Sequence, residues 1–461
     1  MKAKQVRRSG EKKRLKLFGT DGIRGKANYP PMTGEIAFEV GRAAAYVLKK
    51  KHGREMILIG KDTRLSGYML ESALTSGICS MGMNVVLVGP MPTPGIAFVT
   101  RSLRVDAGIV ISASHNPYDD NGIKFFSSDG FKLPDSIEKE IEDAVFSEEL
   151  EKIRPHGEGI GKAFRVDDAY GRYIEYVKST FPKGRTLEGI KIVVDCANGS
   201  TYKITPWVLS ELGAEVIAIN DKPDGLNINA GCGCTHPEAV QKAVLEHRAD
   251  IGIAHDGDGD RTLLCDEKGG MVDGDRIMAM CALDMKKDKR LKNNTVVATV
   301  MSNIGFELFL KKSGIKVIRT SVGDRYVVEE MVRKDCNLGG EQSGHIIFMD
   351  HNTTGDGAIT ALQVLAIMEK TKKPLSKLAS VVPIYPQILV NVPVKRPKKI
   401  EKFPSVVEAI EKAGKKLKSG RILVRPSGTE PKIRVMVEGD NMNRITSIAD
   451  EIADVIRSTM A

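Results

Sequence analysis

Three times along this chain a helix-like stretch gives way to a glycine and then to a run of β-branched apolar residues. The runs are Ser80-Met81-Gly82-Met83-Asn84-Val85-Val86, Glu211-Leu212-Gly213-Ala214-Glu215-Val216-Ile217 and Lys312-Ser313-Gly314-Ile315-Lys316-Val317-Ile318. A glycine just past a helix end takes the left-handed conformation that closes the last turn, and the apolar run behind it reads as a buried strand. The pattern predicts three related α/β units of about 100 to 130 residues each.

Each unit also has a strand that ends in a polar loop. Asp106-Ala107-Gly108-Ile109-Val110-Ile111 runs into a loop holding Ser114, Asp250-Ile251-Gly252-Ile253-Ala254 into one rich in aspartate, and Asn337-Leu338-Gly339-Gly340 into Glu341-Gln342-Ser343-Gly344-His345. Open α/β sheets bind ligands beyond the carboxyl ends of their strands, so the three loops are expected to face one cleft. From Lys372 the sequence turns Lys/Pro-rich, and Pro374, Pro383, Pro386, Pro393 and Pro397 read as helix breakers in a linker. Beyond it, strands at Arg421–Val424 and Ile433–Val437 and a helix from about Ile445 to Arg457 predict a smaller α+β unit. The expected domains are 16–158, 159–260 and 261–372, all α/β, and 380–461, α+β.

The length, 461 residues, agrees with several domains, and 41% hydrophobic with 28% charged residues is ordinary for a globular chain. No apolar run approaches the roughly 18 residues that span a bilayer, so no membrane association is expected. The net charge of +10 hints at nucleic acid until it is located: Lys2, Lys4, Arg7, Arg8, Lys12, Lys13, Arg14 and Lys16 stand against Glu11 alone. Most of the excess therefore sits in residues 1–15 and the residue that follows. This reads as a solvated, disordered tail, and a nucleic-acid partner is not expected. No apolar segment follows to make it a secretory signal. Seven cysteines, an odd number, argue for free thiols in a reducing cytoplasm.

The sharpest chemistry lies in two loops. His255-Asp256-Gly257-Asp258-Gly259-Asp260-Arg261 puts three carboxylates at alternate positions, which repel unless a hard cation such as Mg²⁺ neutralises them. An EF-hand reading fails, because Arg261 stands where that loop needs glycine and the flanks Ile251–Ala254 and Thr262–Cys265 read as strands. Glycines 257 and 259 are expected to let the backbone curl so that the carboxylates converge. Ile111-Ser112-Ala113-Ser114-His115-Asn116-Pro117 offers a hydroxyl beside that metal, and Lys124 adds a cation shortly after. Ser114 and His115 are not expected to act as nucleophile and base, since adjacent residues rarely present side chains to each other and the glycine-flanked elbow is absent. Cys232, Cys234 and His236 lack the second ligand pair of a structural zinc site.

Arg425-Pro426-Ser427-Gly428-Thr429-Glu430-Pro431 has the parts of a phosphate cradle: a guanidinium fork, two hydroxyls and a glycine amide, with Arg434 on the next strand. Glu341 and Ser343 suit contacts to sugar hydroxyls and an ordinary strand-end turn equally well.

These segments, with Phe18-Gly19-Thr20-Asp21-Gly22-Ile23-Arg24-Gly25, resemble the α-D-phosphohexomutase superfamily from about residue 15 onward. The likeness implies three α/β domains and a C-terminal α+β domain around a central cleft. It implies a phosphoserine at Ser114, with Asp256, Asp258 and Asp260 holding a Mg²⁺ that also touches the seryl phosphate. Glu341 and Ser343 would hold the sugar, and Arg425, Ser427, Gly428, Thr429 and Arg434 its distal phosphate. Arg24, Lys124, Arg261 and His345 would line the cleft. Gly323-Asp324-Arg325 and the Glu341–His345 loop look like those of the bacterial branch acting on glucosamine phosphates. The implied reaction interconverts glucosamine 6-phosphate and glucosamine 1-phosphate through a 1,6-bisphosphate, feeding UDP-N-acetylglucosamine and cell-wall precursors, in a cytoplasmic monomer or homodimer. The glucose and mannose mutases are the alternative branch, and a metal-dependent sugar phosphatase with Asp256 as nucleophile is the competing class. Lys124, His345 and the phosphate itself remain open as the base. Cys234 departs from the family's pattern, which has serine there.

Overall fold

The computed structural model describes residues 16–19, 21–49, 54–395, 400–417, 420–426 and 431–460. The basic segment 1–15, read above as a tail, lies outside them. The chain forms two compact units, one running through Met271 and taking in His345–Glu369, the other made of Val272–Gly344 and the residues from Lys370 on.

The first unit holds two sheets. In one, the strands run in the order Phe18–Gly19, Gly22–Lys26, Asp120–Ser127, Ala107–Ile111, Met56–Lys61, Asn84–Pro90 and Ala163–Arg165. Ala107–Ile111, Met56–Lys61 and Asn84–Pro90 are parallel, while Asp120–Ser127 turns back antiparallel and carries Gly22–Lys26 beside it. The second sheet repeats this plan. Glu215–Ile219, Lys191–Asp195 and Ile251–His255 are parallel, and Thr262–Asp266 returns antiparallel. In both, the strand that leads into a polar loop is followed by a hairpin partner. Side chains aligned across that hairpin are thereby delivered to the loop.

In the second unit, Lys316–Thr320, Thr295–Thr299 and Leu338–Gly340 pair in parallel. A three-stranded antiparallel sheet, ordered Gln387–Pro393, Lys432–Gly439, Gly420–Pro426, packs against helices Pro404–Lys416 and Met442–Met460. The three predicted helix–glycine–strand joints are all present: Gly82, Gly213 and Gly314 have φ of 83°, 97° and 69°, each followed by its strand. The linker reading was too simple. Pro374 follows the end of helix Gly357–Thr371 but also stands at the N-cap of the short helix Leu375–Ala379, where its missing N–H costs nothing, and Pro393 closes a full strand, Gln387–Pro393.

Apolar side chains are buried on both faces of the first sheet, and helices Gly34–Lys49 and Ser66–Ser80 pack on one another. Their close approach rests on small residues. A Cβ on Gly77 overlaps the Phe38 carbonyl oxygen, and one on Gly41 lies 2.6 Å from that of Leu74. Neither neighbour is a flexible side chain that can move aside. Gly77→Val is therefore expected to destabilise the chain by about 1–3 kcal/mol, whereas Gly171→Ala, on an exposed helix position with nothing within 4 Å, is expected to stabilise by about 0.5–1 kcal/mol. Denaturant midpoints of the two variants check this, and equal midpoints discard the close-packing account.

Candidate active site

Ser114 follows the strand Ala107–Ile111 and has left-handed backbone, φ 53°, a conformation costly for a residue with a Cβ. It is 2% exposed, and its Oγ donates to Asp256 Oδ2 at 2.6 Å. Its amide donates to Ser112 Oγ at 2.9 Å. The same backbone turn brings its Oγ to 3.3 Å from His115 Nδ1. The expectation that neighbours in sequence do not meet is thus wrong here, because it assumes extended or right-handed backbone. Burial, with Arg261 and Arg24 nearby, pushes the His115 imidazole down to about 4.

The second loop brings Asp256, Asp258 and Asp260 together, all buried, with an oxygen of each within 4.8 Å of the others. The two glycines do different work. Gly259 has φ 69°, as curling of the loop requires, but Gly257 has no positive φ. A Cβ on Gly257 lies 2.8 Å from the Ser114 carbonyl oxygen, so this glycine is there to let the two loops touch.

Burial and mutual repulsion push the Asp256 carboxyl well up, and burial with Asp258 beside it raises that of Asp260. Asp258 goes the other way. Burial opposes its charge, yet Lys124 and a hydrogen bond from Thr93 hold it below the usual carboxylate range. The Lys124 ammonium lies 3.0 Å from Asp258 Oδ2, 3.9 Å from Asp260 Oδ2 and 3.5 Å from Asp21 Oδ2. Against burial, these three carboxylates raise its pKa.

Register explains the delivery: Lys124 is paired with Val110 across the hairpin, and Arg24 with Gly122 on the next strand. Arg24 reaches the Ala113 carbonyl at 3.4 Å and pairs with Asp21. Arg261 Nε and His345 Nε2 stand 3.9 and 3.8 Å from Asp260. Ser114, Arg24, Lys124, Asp256, Asp258, Asp260, Arg261 and His345 are therefore brought together. Asp258 Oδ1 and Asp260 Oδ1 are buried and accept no hydrogen bond. Orphaned hard oxygen donors of this kind fit a divalent cation such as Mg²⁺. Among the described residues this is the one group of three with metal-ligand geometry, and Cys232, Cys234 and His236 do not form another.

In the second unit, Glu341 Oε1 accepts from the Gly323 amide at 3.1 Å and Oε2 from Ser343 Oγ at 3.3 Å. That joins the loop to the start of helix Asp324–Arg333, where Asp324 Oδ1 accepts from the Arg325 amide at 2.8 Å. Arg425 and Arg434 are cross-strand partners, and burial together with Arg434 lowers the Arg425 pKa. Two guanidinium groups side by side favour an anion. Ser427, Gly428 and Thr429 lie outside the described residues. Asp21 and Thr93, which hold Lys124 and Asp258, were given no role from sequence. Only the acid in Phe18–Gly25 hinted at the first, and Thr93 carried no signal.

Four stretches of the chain match domains of the phosphoglucomutase/phosphomannomutase family: α/β/α domain I over residues 15–152, domain II over 171–270, domain III over 273–385 and the C-terminal domain over 389–455. The chain belongs to this family. Its fold is accordingly three α/β domains and a C-terminal α+β domain. Members of this phosphohexomutase family are isomerases that move a phosphoryl group within a sugar phosphate. A phosphoglucosamine mutase of Geobacter metallireducens is 61% identical over 442 residues, 96% of this chain and 98% of that protein. One of Syntrophotalea carbinolica is 59% identical over 443 residues, 96% and 97% of the two chains. Two solved structures show the same fold at low identity. A family protein of Burkholderia thailandensis has a TM-score of 0.78 at 24% identity, covering 95% of this chain and 97% of that one. An Aspergillus fumigatus N-acetylphosphoglucosamine mutase, in complex with GlcNAc-6P and magnesium, has 0.71 at 18%, covering 97% and 96%. Among the described residues no helix is long and apolar enough to cross a membrane.

A cation that binds the folded carboxylate loop stabilises it, by about 2.7 kcal/mol at a hundred times its dissociation constant. Added Mg²⁺ is expected to raise the thermal midpoint of the wild-type chain and to raise that of Asp258→Asn much less. A wild-type midpoint indifferent to Mg²⁺ and to chelator counts against a metal at this loop.

Proposed function

We propose that the chain interconverts glucosamine 6-phosphate and glucosamine 1-phosphate through a phosphoserine at Ser114 and a 1,6-bisphosphate intermediate. The observation that carries the reading is the Ser114 hydroxyl, 2.6 Å from Asp256 in a buried nest of three carboxylates and Lys124, with the partly exposed Arg24 beside it. The phosphoglucosamine mutases at about 60% identity along nearly the whole chain support the choice of sugar.

In this mechanism a sugar hydroxyl attacks phosphorus, its new O–P bond forms as the seryl O–P bond breaks, and the Ser114 oxygen takes up a proton. The bisphosphate then turns over and returns its other phosphoryl group to Ser114. Asp256, Asp258 and Asp260 would hold a Mg²⁺, which would supply charge neutralisation for phosphoryl transfer. Arg24, Lys124 and Arg261 neutralise the remaining charge. Lys124, His345 and the phosphate itself are the candidates for moving the hydroxyl proton, and the raised pKa of Lys124 weighs against that side chain as the base. Asp324, Arg325, Glu341 and Ser343 bind the sugar, and Arg425, Ser427, Gly428, Thr429 and Arg434 its distal phosphate. The substrate is a small sugar phosphate, met in the cytoplasm.

Two measurements test the reading. Intact mass of the purified protein is expected to show a fraction heavier by one phosphate on Ser114, and Ser114→Ala is expected to lose that species and all mutase turnover. A clean alanine variant with near-wild-type turnover would sink the mechanism. Side-by-side kinetics test the sugar. An acceptor built for a C2 ammonium is left poorly paired by a hydroxyl, at about 1–3 kcal/mol, so kcat/KM is expected to favour glucosamine phosphates over glucose phosphates by at least roughly tenfold. Equal turnover of glucose 1-phosphate moves the chain to the glucose and mannose branch.

A further inference from the structure

The Ser114 loop is held by its carbonyl oxygens. Asn229, on the loop before Cys232, donates from Nδ2 to Ser114 O at 2.9 Å and to Asn116 O at 3.0 Å. Arg64 spans the same two carbonyls, Nη2 lying 3.2 Å from Ser114 O and 2.6 Å from Asn116 O, while its Nη1 is paired with buried Asp62. Two donors, one on the loop after strand Met56–Lys61 and one on the loop after strand Glu215–Ile219, meet one pair of oxygens, each through a single nitrogen. Only the amide nitrogen of Asn229 can face two carbonyls, which settles its orientation. Its Oδ1 is buried and accepts nothing, so the donor end is the useful one. Asn229 itself has φ 58°, a conformation asparagine tolerates better than most residues, and its Nδ2 lies 2.8 Å from the Cβ position that Gly257 leaves empty. The side chain therefore sits where the serine loop and the carboxylate loop meet.

We propose that Asn229 is a positioning residue for phosphoryl transfer: with Arg64 it holds Ser114 in its left-handed conformation, so that the Oγ stays aimed at the carboxylate loop instead of relaxing away. The proposal rests on the reading of Ser114 as the phosphoryl carrier. Released from these donors, the Ser114 backbone has an incentive to leave a conformation that disfavours a Cβ. A displacement of about 1 Å at a reacting atom costs up to about 100-fold in rate.

The test uses Asn229→Asp, which keeps the shape and turns oxygens toward the two carbonyls, and Asn229→Gly, which keeps the left-handed backbone and removes the donor without adding charge. Wild-type and variant proteins are isolated phosphorylated on Ser114, and transfer to glucosamine 6-phosphate is followed in a single turnover by intact mass. Both variants are expected to transfer roughly 10- to 100-fold more slowly, with KM within about threefold of wild type and a thermal midpoint within a few degrees, since substrate contacts and the core are untouched. Transfer at the wild-type rate by either variant overturns the positioning role. So does a loss of rate that only follows a loss of folded protein or a matching rise in KM, because a general structural role predicts that. Failure of the wild-type phosphoenzyme to transfer at all is a separate result, which removes the mutase reading itself.

Discussion

Three aspartates buried with oxygens within 4.8 Å of one another are the constraint around which the first unit is arranged. Two unit charges at that separation repel by roughly 3–4 kcal/mol at an effective dielectric near 20, and three such pairs are present. Folding alone offsets part of this. Lys124 is set between Asp258, Asp260 and Asp21, and Asp21 in turn sits against Arg24 and Lys132. Charges thus alternate outward from the loop. What the protein does not neutralise is visible in the raised pKa values of Asp256 and Asp260 and in two orphaned carboxylate oxygens. A site left short of positive charge in this way favours a divalent cation.

The same need shapes the sheet. Lys124 and Arg24 reach the loop because two successive antiparallel strands follow the parallel core, in a register that places both long side chains at the carboxyl end of Ala107–Ile111. Gly257 gives up its side chain so that the serine loop can lie directly against the aspartates. Ser114 accepts strained backbone for the same reason. A sugar phosphate adds further negative charge, so guanidinium pairs such as Arg425 and Arg434 in the second unit follow the same electrostatic logic.

Much of this was legible in the chain. Periodicity and glycine placement located the three α/β joints because helix closure at a left-handed residue is a local event. The carboxylate loop was legible because alternation of Asp and Gly restricts what its backbone can do. Where local rules failed, distant contacts had overridden them. Pro374 and Pro393 were read as breakers, yet they delimit a helix and a strand that pairs with Lys432–Gly439, some 40 residues on. Ser114 and His115 were read as facing apart, yet one left-handed residue turns them together.

The sequence by itself determined the fold class and singled out Ser114 and the three aspartates as candidates for one charged site, since each follows from residue types within a few positions of one another. It did not determine which side chains serve them. Asp21, Thr93, Arg64 and Asn229 lie from 50 to 165 residues away from the groups they hold and have no local signature. Their roles exist only because strand register and loop packing bring them within hydrogen-bonding distance. That distance is a property of the tertiary structure, where burial makes each charge and each carbonyl demand a partner.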